Sequence, residues 1–159
     1  MSLFIAAIVM CFGLGALLGA PFLPARRVDV EAALDLAGVK AGETVVDLGS
    51  GDGRMLIAAA KRGAKAIGYE INPLLWLWSV AASWQYRGLV TVKLKSYWGD
   101  TLPEADVIYT FLLQRYMQRL HDKLNAEAKK PVRVVSYVFA LPAEPVKKTR
   151  NTFLYHYPQ

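Results

Sequence analysis

Three glycines within five residues, Gly49, Gly51 and Gly53, follow directly on Val45-Val46-Asp47-Leu48 and precede Arg54-Met55-Leu56-Ile57-Ala58-Ala59-Ala60. The β-branched residues favour a short buried strand, and the glycines allow a tight turn and close backbone approach to a ligand. A helix opening at about Arg54 then aims its free N–H groups and positive dipole end at that ligand. About twenty residues on, Ala66-Ile67-Gly68-Tyr69-Glu70 reads as a second strand ending in a carboxylate. An acid at the tip of the neighbouring strand of an α/β sheet can accept hydrogen bonds from a ribose diol. The combination points to a ligand containing a nucleoside. The bland alternative is an empty glycine turn in a doubly wound sheet.

The spacing narrows the ligand. A dinucleotide fingerprint requires a third glycine where Arg54 stands, and a P-loop requires Gly-Lys-Ser/Thr, which is absent. Asp47 precedes the first glycine by two residues; it would repel a pyrophosphate but suits the ammonium end of S-adenosyl-L-methionine. The string Asp47-Leu48-Gly49-Ser50-Gly51-Asp52-Gly53 resembles motif I of the class I S-adenosylmethionine-dependent methyltransferases, and Gly68-Tyr69-Glu70-Ile71-Asn72-Pro73 resembles the next segment of that family's pattern. The resemblance implies cofactor contacts from Asp47, Gly49, Ser50, Gly51, Asp52, Gly53 and Glu70.

With 159 residues the chain is expected to form one domain with a full core. It is 54% hydrophobic, and the excess gathers at the N-terminus, where Leu3 to Leu23 carry no charged side chain. A helix of about 20 residues spans roughly 30 Å, enough to cross a bilayer. No basic side chain precedes the run and Pro21 makes a poor cleavage junction, which favours a retained anchor over a signal peptide. Arg26 and Arg27 come immediately after it, placing the rest of the chain in the cytoplasm by the positive-inside rule. The expected division is therefore a transmembrane anchor over 1–25 and a cytoplasmic domain over 26–159. The single cysteine, Cys11, lies in the anchor, so no internal disulfide is possible. The formal charge of +6 belongs wholly to residues after 25. It reads as solvated helix ends and attraction to anionic lipid. A nucleic-acid groove would need a basic patch interleaved with aromatics, which the sequence lacks.

Val28 to Ala37 shows the spacing of a short amphipathic helix closed by Gly38. Asn72-Pro73 caps a helix that continues through three tryptophans, Trp76, Trp78 and Trp84. That helix is apolar almost all round, which predicts either a buried position or contact with a membrane interface. Val90–Leu94, 105–111, 132–139 and Thr152–Tyr157 read as further strands, with a helix from Leu113 to about Lys129. His121 and His156 are isolated, and no nucleophile triad, carboxylate pair or metal-spaced cluster appears. Methyl transfer needs none of these, because alignment of donor and acceptor supplies much of the catalysis. Phe111, Tyr137 and Phe139, at the ends of the fourth and fifth strands, are candidates for an aromatic acceptor pocket that disfavours a charged amine. Equally, they are ordinary strand aromatics.

The resemblance narrows further. The uncharged N-terminal run, Ala20-Pro21-Phe22-Leu23-Pro24, motif I with Arg54, Gly68-Tyr69-Glu70, Trp98 and Val134-Val135-Ser136 with Phe139 resemble a small membrane-anchored group. That group is related to the lysine N-methyltransferases of the ATP synthase c-subunit and the adenine nucleotide translocase. The resemblance implies a trimmed Rossmann-like α/β sheet of order 3-2-1-4-5 with one antiparallel strand, and methylation of an amine such as a protein lysine, with a membrane protein as partner. It also implies adenine contacts from the loop Ser96-Tyr97-Trp98. Ser96 stands where many members carry an acid, with Asp100 as the alternative acid, and Gln114 replaces a proline of some relatives. Competing readings are a nucleoside-binding module without transfer activity, a small-molecule methyltransferase, and a structural membrane protein with a vestigial fold.

Overall fold

The computed structural model describes residues 23–159, so all of the expected anchor but its last three residues, Cys11 included, lies outside the described residues. Among the described residues no helix is long and apolar enough to cross a membrane. The elements are α1 (Arg27–Ala37), β1 (Thr44–Leu48), α2 (Arg54–Lys61), β2 (Lys65–Glu70), α3 (Pro73–Ala82), β3 (Val90–Leu94), β4 (Val107–Thr110), α4 (Met117–Glu127), β5 (Val132–Tyr137), β6 (Lys147–Lys148) and β7 (Thr152–Tyr157).

All seven strands join one sheet in the order β3-β2-β1-β4-β5-β7-β6. The first five are parallel; β7 runs antiparallel to β5, and β6 antiparallel to β7. Two antiparallel pairings thus replace the single antiparallel strand expected. The extra strand is only Lys147-Lys148, both exposed, held where Val146 N–H donates to Leu154 O at 2.7 Å. A two-residue polar strand has no alternation to read.

The sheet is buried on both faces, as parallel strands require. Val45, Leu56, Ala59, Val107 and Val135 form one core layer with Val30, Ala33 and Leu34 of α1. Val46, Leu48, Ile108 and Val134 form the other with Met117, Leu120 and Leu124 of α4. Between β3 and β4 the chain makes only a 3₁₀ turn, Tyr97–Gly99, so the fold is trimmed there as expected.

Local chemistry sets the boundaries. Gly38 ends α1 with φ 63°, returning its N–H to Asp35 O and Leu34 O. Asn72 Oδ1 accepts from Leu74 N at 2.9 Å and Leu75 N at 3.3 Å, with Pro73 opening α3, as the Asn-Pro pair predicts. The fourth strand is shorter than expected, and a 3₁₀ turn at Gln114–Tyr116 precedes α4. The fifth strand stops at Tyr137 rather than Phe139, because Val138 takes φ 70° and donates its N–H to Asn151 O at 2.7 Å. A β-branched residue in that region is a conformation that sequence pattern alone does not announce.

Candidate active site

The strand order reverses between β1 and β4, and the carboxyl ends of parallel strands at such a point open on a crevice. Here that crevice has a cavity volume of about 140 Å³ and is open to solvent. Asp47 on β1 is in register with Gly68 on β2 and Tyr109 on β4, so a carboxylate and a phenol lie side by side at its floor.

The glycine turn is fixed from β2. Gly49 N and Ser50 N both donate to Tyr69 O, at 3.0 and 2.8 Å. Glu70 does more than the sequence announces. Its Oε2 accepts from Gly51 N and its Oε1 from Asn72 N, each at 2.8 Å, so one buried carboxylate joins the glycine turn to the cap of α3. Each oxygen retains a second lone pair, and Glu70 lines the cavity. Gly68 lets this happen: a Cβ there would lie 2.6 Å from Leu56 Cδ1 and 2.7 Å from Ser50 Cβ. Gly53 does not line the cavity. Its φ is 80°, and a Cβ would overlap the side chain of Ser79, so the third glycine serves the joint between α2 and α3.

The floor carries unsatisfied polar atoms. Asp47 Oδ1, Ser50 Oγ and Tyr109 Oη are buried and have no hydrogen-bond partner, and all three residues belong to the cavity lining. Buried polar groups are ordinarily paired, so a cluster of three at one cavity floor marks a place for a polar ligand. Burial, reinforced by Glu70 and Asp52, pushes the Asp47 carboxyl up to about 8. Burial and the neighbouring Asp47 likewise push the Tyr109 phenol upward, keeping it neutral. A cation at Asp47 would relieve both its desolvation and its repulsion from Glu70.

Asp52 faces Arg54, whose Nε lies 2.9 Å from Oδ1 and 3.0 Å from Oδ2. Arg54 Nη1 also donates to Ala25 O, clipping Leu23-Pro24-Ala25 across the turn as a cavity wall. Reading the sequence alone misses this clip. Its one signal is an arginine at the first position of a helix, where the dipole disfavours a cation.

The opposite wall is the loop after β3. Ser96, Tyr97 and Trp98 all reach the cavity. Ser96 Oγ accepts from Trp98 N at 3.3 Å, and Trp98 lies between Tyr97, 4.6 Å away, and the Arg119 guanidinium, 4.3 Å over its ring. Asp100 is not on the lining; Lys95 Nζ holds it at 3.0 Å and lowers its pKa. Ile71, next to Glu70, adds an apolar surface that the sequence does not single out.

Of the aromatic candidates at the strand ends, Phe111 lines the cavity. Tyr137 stands behind it, edge-on at 4.9 Å, and donates its hydroxyl to Asp29 Oδ2 at 2.8 Å. Phe139 packs with the α4-side core, and its carbonyl accepts from Ser136 Oγ. Tyr109 and Leu112 occupy the lining instead. The parity of β4 puts Tyr109 beside Asp47, a register the sequence could not give.

The family model described as the ANTKMT methyltransferase domain matches residues 47–148, spanning motif I, the acid of β2 and the loop after β3. The chain belongs to that family. The human lysine N-methyltransferase of the ATP synthase c-subunit is 34% identical over 124 residues, covering 77% of this chain and 53% of that protein. The mouse adenine nucleotide translocase lysine N-methyltransferase is 38% identical over 127 residues, covering 77% and 54%. The chain thus spans about half the length of these relatives. A protein-lysine N-methyltransferase of Saccharolobus islandicus is 33% identical over 126 residues, covering 76% of this chain and 78% of that one. Among solved structures, an RNA methyltransferase from Salinibacter ruber with S-adenosyl-L-homocysteine superposes with a TM-score of 0.78 at 28% identity, covering 85% and 92%. The sheet order and the switch-point crevice are those of the class I methyltransferase fold.

The residues fit S-adenosylmethionine. Its ammonium suits an unpaired, buried Asp47, and its amino-acid arm offers partners for Ser50 Oγ. The ribose diol suits the free lone pairs of Glu70, and the adenine suits a wall of Ile71, Tyr97 and Trp98.

Proposed function

We propose that this protein binds S-adenosylmethionine at the β1–β4 crevice and methylates the side-chain amine of a lysine in a membrane protein. The observation that carries the reading is the unpaired floor of Asp47, Ser50 and Tyr109 in a member of the ANTKMT methyltransferase family, whose named relatives act on lysines. Bound S-adenosylmethionine supplies an electrophilic methyl on a sulfonium, which carries its own leaving group. Asp47 and Ser50 hold the amino-acid arm, Gly49 and Gly51 admit it closely, and Glu70 orients the ribose while keeping the turn in shape. Ser96, Tyr97 and Trp98 hold the adenine. Phe111 and Leu112 exclude water beside the acceptor and disfavour its charged form. Tyr109, held neutral, offers its hydroxyl to the amine.

In the same reading the uncharged N-terminal run is a single-pass anchor ahead of a cytoplasmic methyltransferase domain, which begins a few residues earlier than 26 because Leu23, Pro24 and Ala25 already form a wall of its cavity. The uncharged run Leu3–Leu23 followed by Arg26-Arg27 supports this. The likeness to the Salinibacter RNA methyltransferase and the charge of +6 support a second reading, with an RNA acceptor. Incubating the full chain with labelled-methyl S-adenosylmethionine, membranes and total RNA separates the readings. Label in membrane protein supports the proposal. Label in RNA or small molecules replaces the acceptor, and binding without transfer leaves a nucleoside-binding module. Retention in the membrane after alkaline extraction tests the anchor.

A further inference from the structure

Helix α3 is built unlike the other helices. Its only buried residue is Ser79, whereas α1, α2 and α4 each bury an apolar stripe. A helix that gives its sheet so little should be polar outside. Instead Leu74, Leu77, Trp78 and Ala81, at the i, i+3, i+4, i+7 spacing of one face, are all exposed, Leu77 by 58% and Trp78 by 65%. The surface continues into the 3₁₀ turn, where Trp84 is 63% exposed. Of the three tryptophans here Trp76 alone turns inward, donating Nε1–H to Val92 O at 3.0 Å.

The charge placed directly against this face is a cation, while Lys93 lies over Tyr69 and Lys95 is paired with Asp100. Residues 71–99 contain no Asp or Glu, and their charged side chains are Arg87, Lys93 and Lys95. Arg87 lies with its guanidinium 5.2 Å from the centre of the Trp84 ring. Exposed tryptophan and leucine with an arginine stacked against them is a composition that settles at the headgroup boundary of an anionic bilayer.

Connectivity agrees. Leu23 lines the cavity together with Ile71, just before α3, and Leu75 in its first turn. Arg54 fixes the neighbouring Ala25 there. The uncharged run Leu3–Leu23 therefore joins the domain on the side where α3 begins.

We infer that the Leu74–Leu77–Trp78–Trp84 face of α3 and its following turn is a membrane-contact surface that lies in the interface of an anionic bilayer and brings the mouth of the β1–β4 cavity to headgroup level. This deepens the functional reading and rests on it in one respect: it selects acceptor lysines that lie at the membrane surface. An interfacial helix buries its apolar face by about 5–10 Å. Rocking on the anchor alone would leave the cavity free to face the cytoplasm.

The test uses the full chain reconstituted into vesicles of phosphatidylcholine with phosphatidylglycerol, and the Trp78→Ser/Trp84→Ser variant alongside. Subtracting the variant's emission isolates Trp78 and Trp84 from Trp76 and Trp98. Equal S-adenosylmethionine affinity of the two proteins establishes that the variant is folded, since neither residue lines the cavity. The inference predicts that the difference emission shifts to the blue in vesicles. It also predicts quenching by lipids brominated near the top of the acyl chain, and less quenching by aqueous iodide. Emission that stays red and open to iodide overturns it. So does protection that depends on protein concentration and not on lipid, which would mark a face between copies. So does protection gained only when a soluble acidic protein is added. None of these readouts requires methyl transfer, so failure of the enzymatic reading and failure of the surface are separately visible.

Discussion

Asp47 ties cofactor affinity to pH in a direction fixed by its surroundings. In the free protein burial, Glu70 and Asp52 hold its carboxyl at about 8, so at neutral pH it is mostly protonated. The other ionisable side chains on this part of the lining are Arg54, already paired with Asp52, and Tyr109, held neutral. A ligand ammonium binds the ionised form and pulls the pKa down, so binding below pH 8 releases a proton. Affinity for S-adenosylmethionine should therefore rise with pH, by about tenfold per unit below the free-protein pKa. It should peak near that pKa and fall above it, where the ligand's α-ammonium itself loses its proton. Between pH 6 and 8 the gain totals roughly twenty-fold, or about 1.8 kcal/mol, with the ligand ammonium's own titration counted. Isothermal titration at pH 6, 7 and 8, in buffers of different protonation enthalpy, reads both the slope and the released proton. S-Adenosylhomocysteine keeps the ammonium and should show the same slope, whereas 5′-methylthioadenosine lacks the amino-acid arm and should show none. Asp47→Asn should flatten the profile at the weak, low-pH level. An affinity independent of pH from 6 to 8, or equal slopes for methylthioadenosine and S-adenosylmethionine, would refute the placement of the ammonium at Asp47.

Other substitutions test the supporting geometry. Glu70→Ala removes two charge-assisted hydrogen bonds to backbone N–H groups, each worth about 1.5–3 kcal/mol, so both denaturant midpoint and cofactor affinity should fall; an unchanged midpoint would deny its structural role. Gly53→Ala places a Cβ at φ 80° against Ser79 and should destabilise the fold by more than about 1 kcal/mol, with partial recovery on adding Ser79→Ala; equal melting temperatures would contradict the close α2–α3 joint. Tyr109→Phe deletes a buried hydroxyl that has no partner, so the free protein should melt no lower while methyl transfer drops; a lower melting temperature with full activity would make it a core residue only.

The sheet is legible because its signals are local and agree. The alternation of β3, the β-branched run of β1 and the Asn-Pro cap of α3 each specify their own element. Motif I is legible as a ligand site because a carboxylate beside three glycines has little structural use. What escapes the sequence is the set of relations between distant residues. Glu70 reads as a ribose acceptor, yet its two backbone bonds depend on where Gly51 and Asn72 come to rest. Gly53 groups in sequence with the cofactor glycines, and only the approach of Ser79 reveals its packing role. Phe111, Tyr137 and Phe139 look equivalent in sequence, but strand parity and the turn at Val138 leave Phe111 alone on the cavity. The composition of α3 and its following turn allows two outcomes, burial or membrane contact, and only the fold shows that Trp78 and Trp84 stand exposed among the described residues.

The central claim is that the crevice between β1 and β4 delivers a methyl group to lysine. The direct measurement incubates the full chain and its Asp47→Asn variant with native membranes and S-adenosylmethionine carrying a deuterated methyl, followed by tandem mass spectrometry of the digested membrane proteins. The account predicts deuterated methyl groups on lysine Nζ of a membrane protein, sharply reduced with the variant. Deuterium on another residue type or in RNA would contradict it, as would lysine labelling equal for the two proteins.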